Sequence, residues 1–66
     1  MVLTVNGEER PFESGLSIAG LVAALGLDSR KIAVERNRVV EPKSRWNAAR
    51  LADGDQIEIV HFVGGG

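Results

Sequence analysis

Apolar runs near both ends of the chain predict β-strands, and a helical repeat lies between them. The run at residues 2–5 is rich in β-branched residues, and the Asn6-Gly7 pair that follows favours a tight hairpin turn. Residues 9–12 can return as a second strand at a sheet edge, because Pro11 lacks an amide donor. The chain is therefore predicted to begin with a β-hairpin.

A helix is predicted directly after this hairpin. One apolar face recurs at positions i, i+3, i+4 and i+7, formed by Ile18, Leu21, Val22 and Leu25. Ser17 is a suitable N-cap and Gly26 a usual stop just beyond the last turn. Gly20 lies inside the helix and costs about 1 kcal/mol relative to alanine. We therefore expect tertiary packing, rather than helix propensity, to stabilise this segment.

The second half of the chain predicts three more strands, at residues 31–36, 39–40 and 56–63. Residues 43–51 are predicted to be irregular or to form one short helical turn, with Trp46 and Leu51 contacting the core. One helix covers only one face of a sheet, so the order of elements predicts an α+β fold. The hairpin would be antiparallel, with the first and last strands parallel at the centre, which is the β-grasp (ubiquitin-like) pattern.

This pattern assigns a single domain to residues 1–63 and a flexible glycine tail to residues 64–66. Strand and helix periodicity together predict the apolar core. Its members are Leu3, Val5, Ile18, Leu21, Val22, Leu25, Ile32, Val34, Leu51, Ile57 and Ile59.

Composition excludes several kinds of site. The 66 residues include no cysteine, which rules out disulfides, thiol nucleophiles and thiolate metal sites. The single histidine, His61, follows Ile57 and Ile59 on one strand face and is interpreted as structural. A net charge of -1 gives no bulk attraction to nucleic acid or to an acidic membrane. No apolar run is long enough to span a bilayer and the start lacks the features of a secretory signal, so a cytoplasmic location is expected.

Charge is unevenly distributed along the sequence. Residues 30–50 hold seven of the eight basic residues, whereas residues 51–66 hold Asp53, Asp55 and Glu58 and no base. One interpretation is ordinary solvated surface; the other is an acidic end that docks on a basic partner. Asp53 and Asp55 flank a glycine, which favours a role in a turn.

The glycine ending is the segment best suited to covalent chemistry. Glycine lacks a Cβ, so residues 64–66 can extend through a narrow channel and present the carboxylate of Gly66. A carboxylate needs activation before acyl chemistry, and ATP supplies it by forming an acyl-adenylate. A sulfur nucleophile would then yield a thiocarboxylate. The alternative interpretation is a frayed chain end.

Residues 51–66, LADGDQIEIVHFVGGG, resemble the C-terminus of the thiamine-biosynthesis sulfur carriers, the ThiS family. The shared features are an Asp-Gly-Asp turn, a strand of alternating aliphatic residues and a Gly-Gly ending. The segments VNGEER, GLSIAGLVAALGL and IAVERNRVVEPKSRW also fit. The family often has Asn-Gly in its central turn, where this chain has Arg38, and Glu41 precedes Pro42. These departures affect a turn and not the tail.

The resemblance implies a protein cosubstrate rather than an enzyme. An adenylyltransferase would activate Gly66 with ATP, and a sulfurtransferase or cysteine desulfurase would supply sulfur. The thiocarboxylate would serve thiazole synthase, with Gly64 and Gly65 threading the partner's active site. The chain itself would bind no cofactor, metal, nucleic acid or membrane, and would be monomeric when free.

Alternation along the last strand also predicts a docking surface. If Ile57 and Ile59 face the helix, then Glu58, Val60 and Phe62 face the uncovered side of the sheet. The alternative is a bulge that turns Phe62 into the core.

Other functions also stay open: the small subunit of molybdopterin synthase, a carrier for another sulfur pathway, or a β-grasp module that binds without covalent chemistry. A nucleic-acid module is the least supported.

Overall fold

A computed structural model of the protein describes residues 1–62, which form a mixed five-stranded sheet with one α-helix against it. The strands are β1 (Val2–Val5), β2 (Glu8–Pro11), β3 (Ile32–Arg36), β4 (Val39–Val40) and β5 (Gln56–His61), and the helix is α1 (Ile18–Ala24). Short 3₁₀ turns lie at Ser29–Lys31 and Lys43–Arg45. Gly64, Gly65 and Gly66, the predicted tail, lie outside the described residues. No helix within residues 1–62 has the length and apolar character needed to cross a membrane.

The order of strands across the sheet is β2-β1-β5-β3-β4, with β1 and β5 parallel at the centre. The other neighbouring pairs are antiparallel. This is the arrangement that the order of elements predicts. The central parallel ladder is short, and Asn6 extends it: its amide donates to the Ile57 carbonyl at 2.9 Å, and its side-chain oxygen accepts from the Ile59 amide at 2.7 Å.

Helix α1 is capped as its sequence predicts. The Ser17 hydroxyl accepts a hydrogen bond from the Gly20 amide at 3.0 Å, and Gly26 has a φ of 70° just beyond the helix. A Cβ built at Gly20 would lie 2.7 Å from Cδ1 of Leu16, so the missing side chain makes room for that leucine. Packing therefore compensates for the poor helix propensity of this glycine.

The core lies between α1 and the sheet. Trp46 contacts it as predicted, and its composition differs from the prediction at two positions, Ala49 and Leu25. Trp46 and Ala49 are buried with the predicted residues, since the amides of Ile18 and Ala19 donate to the carbonyls of Ala49 and Trp46. The prediction of Leu25 as a core residue is wrong, because it is the C-cap of α1 and is only partly buried at the edge of the core. The other ten predicted residues are buried.

The turn between β3 and β4 departs from ordinary backbone geometry. Asn37 and Arg38 both adopt positive φ angles, 51° and 70°. Asparagine tolerates this region, whereas a residue such as arginine adopts it at a cost of roughly 1–2 kcal/mol. The side chain of Asn37 offsets part of that cost, because its oxygen accepts from the Gln56 amide at 2.9 Å and its nitrogen donates to Asp55 at 3.1 Å.

Candidate functional site

The last strand divides its residues between the two faces of the sheet. Ile57 and Ile59 are buried, while Glu58, Val60 and Phe62 are exposed. Val60 and Phe62 leave 49% and 48% of their surface in solvent, so neither side chain is part of the core. The alternative in which a bulge turns Phe62 into the core is therefore wrong.

Neighbouring strands extend this exposed apolar surface. In the β3–β5 register Ala33 lies opposite Val60, and directly opposite residues share a face of the sheet. Val40 of β4 lies opposite Glu35 on the same face and is 62% exposed. We call Ala33, Val40, Val60 and Phe62 the outer patch. The helix covers the other face of the sheet, so within residues 1–62 nothing packs over the outer patch.

The residues around Phe62 fix the point from which the chain continues toward its glycines. The Phe62 amide donates to the Lys31 carbonyl at 2.8 Å, which extends the β3–β5 pairing beyond His61. The Lys43 ammonium lies 5.9 Å from the centroid of the Phe62 ring and 6.0 Å from that of Trp46, within the range of a cation–π contact. The chain therefore leaves the described domain at the edge of the outer patch.

The aspartates of the predicted acidic end are used inside the domain. The carboxylate of Asp55 is buried and accepts from Arg36 Nε at 2.9 Å, from Asn37 Nδ2 at 3.1 Å and from the Ala52 amide at 2.8 Å. Asp53 accepts from the Val2 amide at 2.6 Å. The turn interpretation is confirmed. The interpretation of Asp55 as a docking acid is wrong, because both of its carboxylate oxygens accept hydrogen bonds within the domain.

Opposing effects act on the pKa of the Asp55 carboxyl. Burial raises its pKa. Hydrogen bonds from the Ala52 amide and Asn37, together with the charge and hydrogen bond of Arg36, lower its pKa by more than burial raises it. The net pKa lies below the ordinary value for aspartate. The carboxylate is therefore held ionised in the folded state.

His61 and the basic segment offer no catalytic grouping. His61 lies on the helix side of the sheet, as predicted, but it is exposed and lines a shallow groove with Leu25 and Leu27. Arg30 pairs with Asp28 at 3.1 Å, and residues 1–62 contain no group of three or more potential metal ligands. The interpretation of residues 30–50 as largely solvated surface agrees with the structure.

Comparison with known proteins agrees with this picture. A family model described as the ThiS family matches residues 3–66. The sulfur carrier protein ThiS of Bacillus subtilis is 39% identical over 66 residues, which cover 98% of this chain and 100% of that protein. The crystal structure of a thiamine biosynthesis protein (ThiS) from Geobacter metallireducens superimposes with a TM-score of 0.88 at 33% identity, covering 100% of both chains. The predicted β-grasp fold is confirmed.

Two larger proteins are also similar to this chain. Both are named thiazole synthase; that of Paramagnetospirillum magneticum is 50% identical and that of Magnetococcus marinus 44% identical, each over 66 residues. The matches cover 100% of this chain but 20% of each relative, so the chain spans about a fifth of their length. With the family model matching nearly the whole sequence, the chain belongs to the ThiS family.

Proposed function

We propose that this chain is a sulfur carrier of thiamine biosynthesis and that the carboxylate of Gly66 carries the sulfur. The observation that carries the proposal is the similarity to the Bacillus subtilis sulfur carrier, which extends over the full length of that protein. The family match likewise extends to residue 66 and so includes the glycine ending. The folded body serves as the recognition handle, and the reaction takes place in partner enzymes.

The proposed chemistry proceeds in two steps on Gly66. In the adenylyltransferase, the Gly66 carboxylate attacks the α-phosphate of ATP, pyrophosphate leaves, and an acyl-adenylate forms. In the second step the outer sulfur of a persulfide on a sulfurtransferase or cysteine desulfurase attacks the acyl carbon and displaces AMP, and a thiol reductant then cleaves the S–S bond of the resulting acyl disulfide to release the thiocarboxylate. Sulfur replaces one carboxylate oxygen. ATP belongs to the partner's site, and Gly64 and Gly65 allow the chain end to enter that site without side-chain clashes.

Thiazole synthase is the proposed acceptor of this sulfur. The two relatives named thiazole synthase contain a region similar to this whole chain within a much longer polypeptide. Joining a carrier to its acceptor raises the effective concentration of one at the other. Such an arrangement supports thiazole synthase as a partner of this chain. It also favours the thiamine pathway over molybdopterin synthesis.

The outer patch, together with Glu58, is the proposed docking surface for these enzymes. We predict that Phe62→Ala weakens binding to the adenylyltransferase or to thiazole synthase by about 2 kcal/mol or more, roughly 30-fold. Phe62 is half exposed, so the free energy of unfolding should change by less than about 1 kcal/mol. Calorimetric titration and thermal melting measure the two quantities.

Val39→Ala is the matched control for this prediction. Val39 is also exposed, but it lies opposite Arg36 and so belongs to the other face of the sheet. Its truncation should leave the affinity unchanged. Unaltered binding by the Phe62 variant would contradict the proposed docking surface.

Genetic complementation tests the assignment to the thiamine pathway. We expect this chain to restore thiamine-independent growth to a bacterial strain that lacks its own ThiS protein, and a chain without Gly66 to fail. The same plasmid in a strain lacking the small subunit of molybdopterin synthase is the control. Rescue of the second strain and not the first would overturn the thiamine assignment. Rescue by the truncated chain would contradict the role of Gly66.

A further inference from the structure

Two glutamates lie opposite each other on the sheet face that carries the outer patch. Glu35 and Glu58 are direct partners in the β3–β5 register, which brings the Cβ atoms of such a pair to about 4.5–5.5 Å. Val40 lies opposite Glu35 on its other side, and the Ala33–Val60 pair lies further along the same two strands. The acidic pair is therefore bordered by exposed apolar side chains.

The acidic pair has no cationic partner within the described domain. Across residues 1–62, no Lys, Arg or His nitrogen lies within 4.0 Å of the Glu35 or Glu58 carboxylate. Arg38 lines the groove that contains Glu58, yet it forms no ion pair with that residue. Like charges directly opposite on neighbouring strands destabilise a sheet. Free in water, the pair tolerates this repulsion because solvent screens it.

Docking through the outer patch changes the surroundings of the acidic pair. Burial of Val60 and its apolar neighbours against a partner would remove water from Glu35 and Glu58 as well. A desolvated carboxylate without a cation opposes association, and two that repel each other oppose it more strongly. A partner surface that buries this patch therefore binds more favourably if it supplies a positive charge at the pair.

We infer that thiazole synthase places an arginine guanidinium between Glu35 and Glu58 when it docks on the outer patch, an inference that rests on the proposed function. A guanidinium presents several donors in one plane and can bind two adjacent carboxylates at once, and it is desolvated more readily than an ammonium. Glu35 thus joins Glu58 as a determinant of docking. The sequence did not single out Glu35, because only the strand register places it beside Glu58.

Charges at the opposite end of the patch give the docking a direction. Lys31 and Lys43 lie beside Phe62, toward the chain end, whereas the acidic pair lies two rows away along β5. A partner docked in the reverse direction would set its arginine against these lysines. The same arginine that stabilises the correct orientation therefore disfavours the reversed one.

The test compares two double variants that remove the same charge. Glu35→Gln with Glu58→Gln removes the acidic pair, and Glu8→Gln with Glu13→Gln removes two exposed acids outside the patch. Binding to thiazole synthase is measured by calorimetry at low and at physiological salt. We expect the first variant to bind at least tenfold more weakly than the full chain at low salt, with a shallower salt dependence. The control variant should bind within twofold of the unmodified chain.

The outcomes of these measurements distinguish a failure of this inference from a failure of the proposed function. Thermal melting of the Glu35/Glu58 variant should be unchanged or raised, since the repulsion is gone. Unaltered affinity of this variant, with sulfur loading of Gly66 intact, would overturn the arginine contact and leave the carrier function standing. Equal losses in both double variants would show a general charge effect and would also overturn it. A full chain that binds no thiazole synthase would contradict both the arginine contact and the proposed role of thiazole synthase as the sulfur acceptor.

Discussion

Removal of Gly66 is expected to slow sulfur loading about 100-fold while the domain stays folded. One extended residue spans about 3.5 Å, and misplacement of a reacting group by that order is sufficient for such a loss. The shortened chain still carries a carboxylate, now on Gly65, so the defect would be one of position rather than of chemistry. Single-turnover loading followed by mass spectrometry measures the rate.

A chain extended by one residue beyond Gly66 is the complement to the deletion. It converts the Gly66 carboxylate into an amide, which ATP cannot adenylate, and loading at Gly66 should be abolished. Both variants should melt at the temperature of the unmodified chain, because the buried core and the backbone hydrogen bonds that join its elements lie within residues 1–62. Loading of either variant at the unmodified rate would contradict the proposed role of Gly66. An unmodified chain that never loads with a matched partner would favour a module that binds without covalent chemistry.

Replacement of Asp55 by alanine is expected to cost about 3 kcal/mol of unfolding free energy. The buried carboxylate joins Arg36, Asn37 and the amide of Ala52, so its loss leaves three donors without an acceptor. The Arg36 side chain retains 24% of its surface in solvent, which keeps the expected cost at the lower end for a broken internal ion pair. Chemical denaturation measures the difference.

Asp53→Ala provides the matched control for Asp55. Asp53 is exposed and accepts a single bond from the Val2 amide, so its loss should cost about 1 kcal/mol. If the two alanine variants proved equally stable, the internal hydrogen-bond network of Asp55 would not hold the turn before β5. The position of β5 would then depend on its apolar contacts alone.

The same carboxylate predicts how stability responds to acid. The pKa of Asp55 is lower in the folded state than in the unfolded chain, whose ordinary value is 3.8. Its contribution is therefore complete above the unfolded pKa and is lost as the pH falls through the folded pKa. Between about pH 5 and pH 2, the unmodified domain should lose more stability than the Asp55→Ala variant. Parallel curves for the two proteins would contradict this assignment.

The fold could be predicted because local pattern and tertiary structure agree in this chain. The Asn6-Gly7 turn, the Ser17 cap and the alternation of Ile57 and Ile59 each indicate the element that forms there. Leu25 fits the helical repeat but lies at the edge of the core. Periodicity does not show where the contact between helix and sheet ends.

The candidate site was only partly accessible to sequence reasoning. Alternation along β5 identified the exposed positions of Glu58, Val60 and Phe62, because one strand suffices for that inference. The neighbours Glu35 and Val40 depend on pairing between strands, which a sequence does not fix. The sequence predicted the turn role of Asp55 but not its contacts with Arg36 and Asn37, which lie 19 and 18 residues away along the chain.

The most direct test of the carrier function is the intact mass of the full chain after incubation with ATP, its adenylyltransferase and a sulfur source. We predict a gain equal to the mass difference between sulfur and oxygen, confined to the peptide that ends in Gly66. The Bacillus subtilis ThiS protein, loaded by its own enzymes in parallel, shows that the sulfur source is competent. An unchanged mass for this chain, while that control gains sulfur, would contradict the proposal that Gly66 carries sulfur.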